Sequence, residues 1–165
     1  MSLLSFIIAT PLIAAIGTLF VPRGYTYLYQ IIARGAAGIT FLLSLGMFLL
    51  YPQMSAGPGG FKFYQKTAWV ESIGISYQVG VDGINVGLIL MGAAVALAAS
   101  FACWGIKRRE RDFYFLFLVM VGGILGAFAS LDVFFFYFFH ELALVPTFIM
   151  IGVWGRGENK NYATF

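Results

Sequence analysis

Charge is what this sequence has least of. Only 10% of its 165 residues are Asp, Glu, Lys or Arg, where an ordinary soluble domain has roughly 25%, and 61% are hydrophobic. That balance excludes a conventional water-soluble fold and points to the membrane class. Cysteine is nearly absent too. Cys103 stands alone, which excludes an intrachain disulfide and any cysteine cluster for iron–sulfur or zinc binding. Histidine is equally scarce: "HELAL" begins like the zinc-protease pattern H-E-x-x-H, but its fifth position is Leu144 and His140 is the sole histidine, so no metal site is expected. The opening "MSLLSFIIATPLIAAIGTLFV" has no Lys or Arg before its apolar run, which is too long for a signal peptide and reads as a retained helix. The ten basic residues are scattered at helix ends, a pattern that sets membrane orientation, so no nucleic-acid partner is expected.

What the sequence does have is apolar length. Runs at 3–21, 31–51, 84–104, 113–131 and 133–154 each approach or exceed the roughly 20 residues that cross a hydrocarbon core about 30 Å thick. The expected fold class is therefore all-α, a polytopic bundle of about five membrane-spanning helices. "VPRGY" and "GIKRRERD" are turn signals between runs, and Asp132 marks a tight turn between the last two. One side of such a bundle carries Arg23, Arg34, Lys107, Arg108, Arg109, Arg111, Arg156 and Lys160, the other only Lys62 and Lys66. The excess belongs inside, which puts the N-terminus outside and the end of the fifth helix in the cytoplasm. The long external connection, 52–83, opens on the Gly/Pro-rich "PQMSAGPGG", read as flexible. Aromatic and β-branched residues then alternate loosely around Gly74, as in a short hairpin lying on the membrane surface. In the fourth run Gly122 and Gly126 stand in GxxxG spacing, which lets helix backbones approach closely.

Glu141 is the residue that asks for a function. It is the ninth residue of a 22-residue run, so at 1.5 Å per residue it lies about 12 Å from the run's start. An acid at depth costs about 2.5–3.5 kcal/mol on insertion scales, and such residues usually face a bundle interior. Apolar surroundings favour the protonated carboxyl and a nearby cation favours the carboxylate, so an acid whose partner approaches and withdraws becomes a proton switch. The bland reading is a protonated Glu141 bonded across helices or to Tyr137, one turn away at i−4. Pro146 lacks an N–H, which frees the Leu142 carbonyl for water and favours a kink. For His140 a buried neutral imidazole bonded to a neighbour is preferred over a proton relay. No Lys or Arg is expected at membrane depth, Arg34 being near a helix end, so a cationic partner for Glu141 has to come from outside these residues. The sequence stops on "RGENKNYATF" without a cap, as in a portion of a longer protein.

Two stretches, "VGVDGINVGLILM" (79–91) and "DVFFFYFFHELALVPTFIMIGVWG" (132–155), the second followed by "NYATF", resemble the M subunit, or chain 4, of bacterial NADH:quinone oxidoreductase, respiratory complex I. The resemblance runs over the whole sequence in order. It implies an antiporter-like subunit of about fourteen helices in two inverted repeats, of which 1–165 is the N-terminal five-helix portion. It also implies that Glu141 is the essential glutamate of the fifth helix, with Pro146 in place, and that its partner is a lysine on the seventh helix, beyond Phe165. Asp82 falls in the "VGVDG" motif, where it is expected to cap a helix. His140 acquires no role from the family. The implied activity is proton translocation in the bacterial inner membrane, as an enzyme subunit with no cofactor or quinone of its own. The implied partners are other membrane subunits and the lipid bilayer, with no soluble substrate bound directly. Two alternatives share much of this pattern: a subunit of a Mrp-type cation/proton antiporter, and a structural membrane scaffold that transports nothing.

Overall fold

The computed structural model describes residues 2–155 except positions 23, 71 and 73. Arg23, Arg156, Lys160 and the "NYATF" stretch therefore lie outside the described residues. Among the described residues five helices are long and apolar enough to cross a membrane: α1 (Leu3–Phe20), α2 (Thr26–Leu50), α3 (Asn85–Ala102), α4 (Glu110–Ala129) and α5 (Val133–Trp154). Between α2 and α3, after two short 3-10 turns, the strands β1 (Lys62–Val70) and β2 (Ile75–Val81) pair antiparallel, with Lys66 opposite Gln78 and Thr67 opposite Tyr77.

Two helices begin earlier than apolarity alone suggests. α2 starts at Thr26 rather than 31, because hydropathy discounts Tyr27, Tyr29 and Gln30 although all three continue the helix. The Tyr29 hydroxyl donates to the carbonyls of Val21 and Pro22, a use of the aromatic's polar tip typical of a membrane interface. α4 starts at Glu110 rather than 113, since Glu110 and Asp112 in its first turn suit the positive end of the helix dipole. Thr26 donates a hydrogen bond to Glu110, tying the two helix starts together. The early start makes Arg34 the ninth residue of α2, about 12 Å along it, and not a residue of its first turn. Its guanidinium lies 4.3 Å over the Trp104 ring and 5.5 Å from the Phe101 centroid at the end of α3, and it donates to Gln30 at 3.4 Å.

α4 is the hub of the bundle. It packs against all four other helices, and 56% of its span is buried, whereas only 11% of α5's is. Its glycines explain how closely the neighbours come. A Cβ on Gly122 would strike Leu12 of α1, and one on Gly126 would strike the Phe139 ring of α5. One on Gly123 would lie 2.7 Å from the Ala143 nitrogen and 2.8 Å from the Phe139 oxygen, so here the α4 and α5 backbones themselves touch.

The strand pair seats the start of α5. The Leu131 N–H donates to the Gln78 carbonyl at 2.9 Å, and the Ser76 N–H to Asp132 at 3.4 Å. β2 crosses this turn so closely that a Cβ on Gly80 would meet Leu131 at 2.9 Å. Trp69 and Tyr77 pack on Phe135 at 5.3 and 5.4 Å between ring centroids. Ser5 and the Ser2 N–H meet Gln65, and Ser5 also lies 3.2 Å from the Tyr77 hydroxyl, so α1 joins the same cluster.

Candidate functional site

α5 is held at three points along its length. At its start Asp132 accepts from the N–H groups of Phe134 and Phe135 at 2.9 and 3.3 Å, satisfying two of the donors a helix start leaves unpaired. In its middle Phe139, Leu142 and Ala143 meet Gly123 and Gly126 of α4. At its end the Trp154 indole donates to the Arg108 carbonyl at 2.7 Å and stands edge-on to Phe113 at 5.3 Å. Pro146 is buried, and the helix continues through it without a break. Both flanking segments are anchored on the rest of the bundle, which accounts for the continuity.

All of this grips one side of the helix. The other side carries Tyr137, His140 and Glu141, and it is uncovered among the described residues. The Glu141 side chain is 62% exposed and that of His140 48%, so neither is buried in this bundle as the sequence suggested. Within the five helices the acid faces outward, because the α4 seam takes Phe139 and Ala143 and the next positions round the helix turn away. His140 Nδ1 lies 4.0 Å from Glu141 Oε1, which is beyond a direct hydrogen bond and within the span of one bridging water. The imidazole lies nearly parallel to the Phe136 ring, 6.1 Å between centroids. Tyr137 packs on Phe136 at 5.7 Å, and no hydrogen bond joins it to Glu141. The described cation deepest in a helix, Arg34, is engaged with Trp104 and Gln30.

Beside the pair, a groove of about 400 Å³ runs along the α4–α5 edge, lined by Ile124, His140, Ala143, Leu144, Thr147, Phe148 and Ile151. Asp82, the other acid singled out in the sequence, accepts from the N–H groups of Ile84 and Asn85 at 2.9 and 2.7 Å, so it caps the start of α3.

No protein-family model matches the chain. Curated relatives do. It is 33% identical over 160 residues to NAD(P)H-quinone oxidoreductase chain 4 2 of Trichodesmium erythraeum, covering 97% of the chain and 28% of that protein. It is 35% identical to the chloroplastic chain 4 of Chara vulgaris, over 97% of the chain and 32% of the relative. Respiratory complex I from Thermus thermophilus with bound NADH contains a chain that superimposes with a TM-score of 0.77 at 26% identity, over 98% of this chain and 31% of that one. The chain is a homologue of chain 4. The same likeness extends to F(420)H(2) dehydrogenase subunit M of Methanosarcina mazei, 32% identical over 98% of the chain and 32% of the relative. The chain thus spans about a third or less of the length of these relatives.

In this chain 4 homologue the residue that brings α4 and α5 into backbone contact is Gly123, which GxxxG spacing passes over in favour of Gly122 and Gly126. The signal was the Gly122–Gly123 pair itself. Adjacent glycines clear two directions round a helix, one toward Leu12 of α1 and one toward α5.

Proposed function

We propose that these five helices are the N-terminal portion of a longer, antiporter-like membrane subunit of an NADH:quinone oxidoreductase, and that Glu141 is a carboxyl group through which the subunit moves protons. The observation that carries the reading is the position of Glu141, on the uncovered face of a helix whose opposite face is clamped to α4. An ionisable group facing lipid at that depth is costly, so further protein belongs on this face. A proton switch needs a partner that changes its distance, and no Lys or Arg among the described residues fills that role. A lysine on a later helix of the full-length subunit supplies it. Partners are then the other membrane subunits of the complex, as with the chain 4 relatives.

The orientation follows from the basic residues: the N-terminus outside, the segment 106–112 and the end of α5 in the cytoplasm of a bacterium whose inner membrane holds the complex. The decisive experiment is Glu141→Gln in the full-length subunit within the assembled complex. NADH-driven acidification of inverted membrane vesicles should be lost while assembly persists, and Glu141→Asp should be milder. Undiminished acidification with Glu141→Gln overturns the reading.

A further inference from the structure

Resting on Glu141 as the proton-carrying group, we infer that His140 delivers protons to it from a water-filled groove that opens at the C-terminal end of α5. The six α5 residues that line the groove are His140, Ala143, Leu144, Thr147, Phe148 and Ile151. They stand at i, i+3, i+4, i+7, i+8 and i+11, a single stripe about 16 Å long. Only two of them are polar, and their order matters. His140 closes the end next to Glu141, and Thr147 lies about halfway along. The Thr147 hydroxyl donates to the Ala143 carbonyl at 2.8 Å, which leaves its oxygen free to accept from water. Ile151 is the last groove residue on α5, and one turn on Trp154 is bonded to the Arg108 carbonyl in the charged segment between α3 and α4.

No other titratable group competes for this role among the described residues. α4 adds only Ile124 to the groove, and its ionisable residues, Glu110, Arg111, Asp112 and Tyr114, stand at its opposite end. On α5 itself only Tyr137 and Glu141 neighbour His140. Imidazole is the side chain that takes and gives a proton near neutral pH. The imidazole lies nearly parallel to the Phe136 ring, and its Nδ1 is the nitrogen placed 4.0 Å from Glu141. In the step itself the Nδ1–H bond of the imidazolium breaks and an O–H bond forms on the Glu141 carboxylate, directly after a closing motion of about 1 Å or through one water. A proton from groove water then re-protonates the neutral imidazole, and the charge moves with the proton throughout.

The test uses the full-length subunit in the assembled complex. His140→Gln keeps the volume and removes the carrier, so proton transfer should slow by about tenfold or more and its pH profile should lose a limb. In His140→Ala, added imidazole should restore transfer. With Cys103→Ser as background, Thr147→Cys and Ile151→Cys should react with a charged, water-soluble thiol reagent, and Ile39→Cys on the exposed flank of α2 should not. If His140→Gln pumps with wild-type rate and pH profile, or Thr147→Cys is inert, the relay is overturned, and a loss of pumping in Glu141→Gln still supports the parent reading. If Glu141→Gln pumps normally, both fall together.

Discussion

Replacing Gly123 with alanine puts a carbon 2.7 Å from the backbone nitrogen of Ala143 and 2.8 Å from the carbonyl oxygen of Phe139, where ordinary contact begins at 3.4 Å. The helices must part by about 0.7 Å, since 3.4 − 2.7 = 0.7. The atoms struck are backbone, so no change of side-chain rotamer relieves the clash. Overpacking of this kind costs about 1–3 kcal/mol. Alanine also gains about 1 kcal/mol over glycine in a helix, and Gly38→Ala in α2, with nothing within 4 Å, isolates that gain. Gly123→Ala should therefore be less stable than Gly38→Ala by about 1–3 kcal/mol, measured by titrating the full-length protein in mixed micelles with a denaturing detergent. Because Ala143 is two residues from Glu141, the displaced seam carries the acid with it, and on the proposed function proton pumping should fall although Glu141 is intact. Equal stability of the two variants would refute the backbone contact between α4 and α5.

Other parts of the structure make independent predictions. Asp132→Ala removes the cap from Phe134 and Phe135 and should cost about 0.5–2 kcal/mol in the same titration, with Asp132→Asn recovering most of it. Arg34→Met should lose the contact with Trp104, worth about 0.5–2 kcal/mol, and Arg34→Lys should recover only part, since a point charge lacks the flat stacking surface; Trp104→Leu should abolish the difference between them. Burial pushes the Tyr77 phenol above its usual range, only partly opposed by its hydrogen bond with Ser5. The folded state then holds this proton to higher pH than the unfolded chain does. Its contribution is whole below about pH 10 and is lost as the pH rises through the folded value, so Tyr77→Phe should flatten the fall in stability on that side.

Much of the architecture was legible because membrane spans announce themselves by length and apolarity, as the run 133–154 did. The errors came where a helix outruns its apolar stretch. Tyr27, Tyr29 and Gln30 look like loop to hydropathy, yet they continue α2 and carry Arg34 further into it. The seam was half legible: small residues told that helices approach, but not that Gly123 makes the contact, because periodicity on one helix does not say where the partner lies. Glu141 stands where the run placed it, as the ninth residue of α5, but among the described residues it faces outward and not into a bundle interior. The five helices bury one face of α5, and the sequence carries no mark of which face α4 would take. His140 lies on the same outward side.

The way α5 is mounted bears on the proposed switch. A carboxyl group that exchanges protons with a moving partner works only if its own position is fixed, since a shift of about 1 Å can cost a reaction about 10²-fold. The structure fixes it without surrounding it. Asp132 and the strand pair hold the start, Gly123 and Gly126 hold the middle, and Trp154 on Arg108 holds the end. Every one of these contacts falls on the side away from Glu141 or at the helix ends. The acid keeps a rigid seat and, among the described residues, an open face, and on the proposed function a partner on that face can move without loosening the helix beneath it.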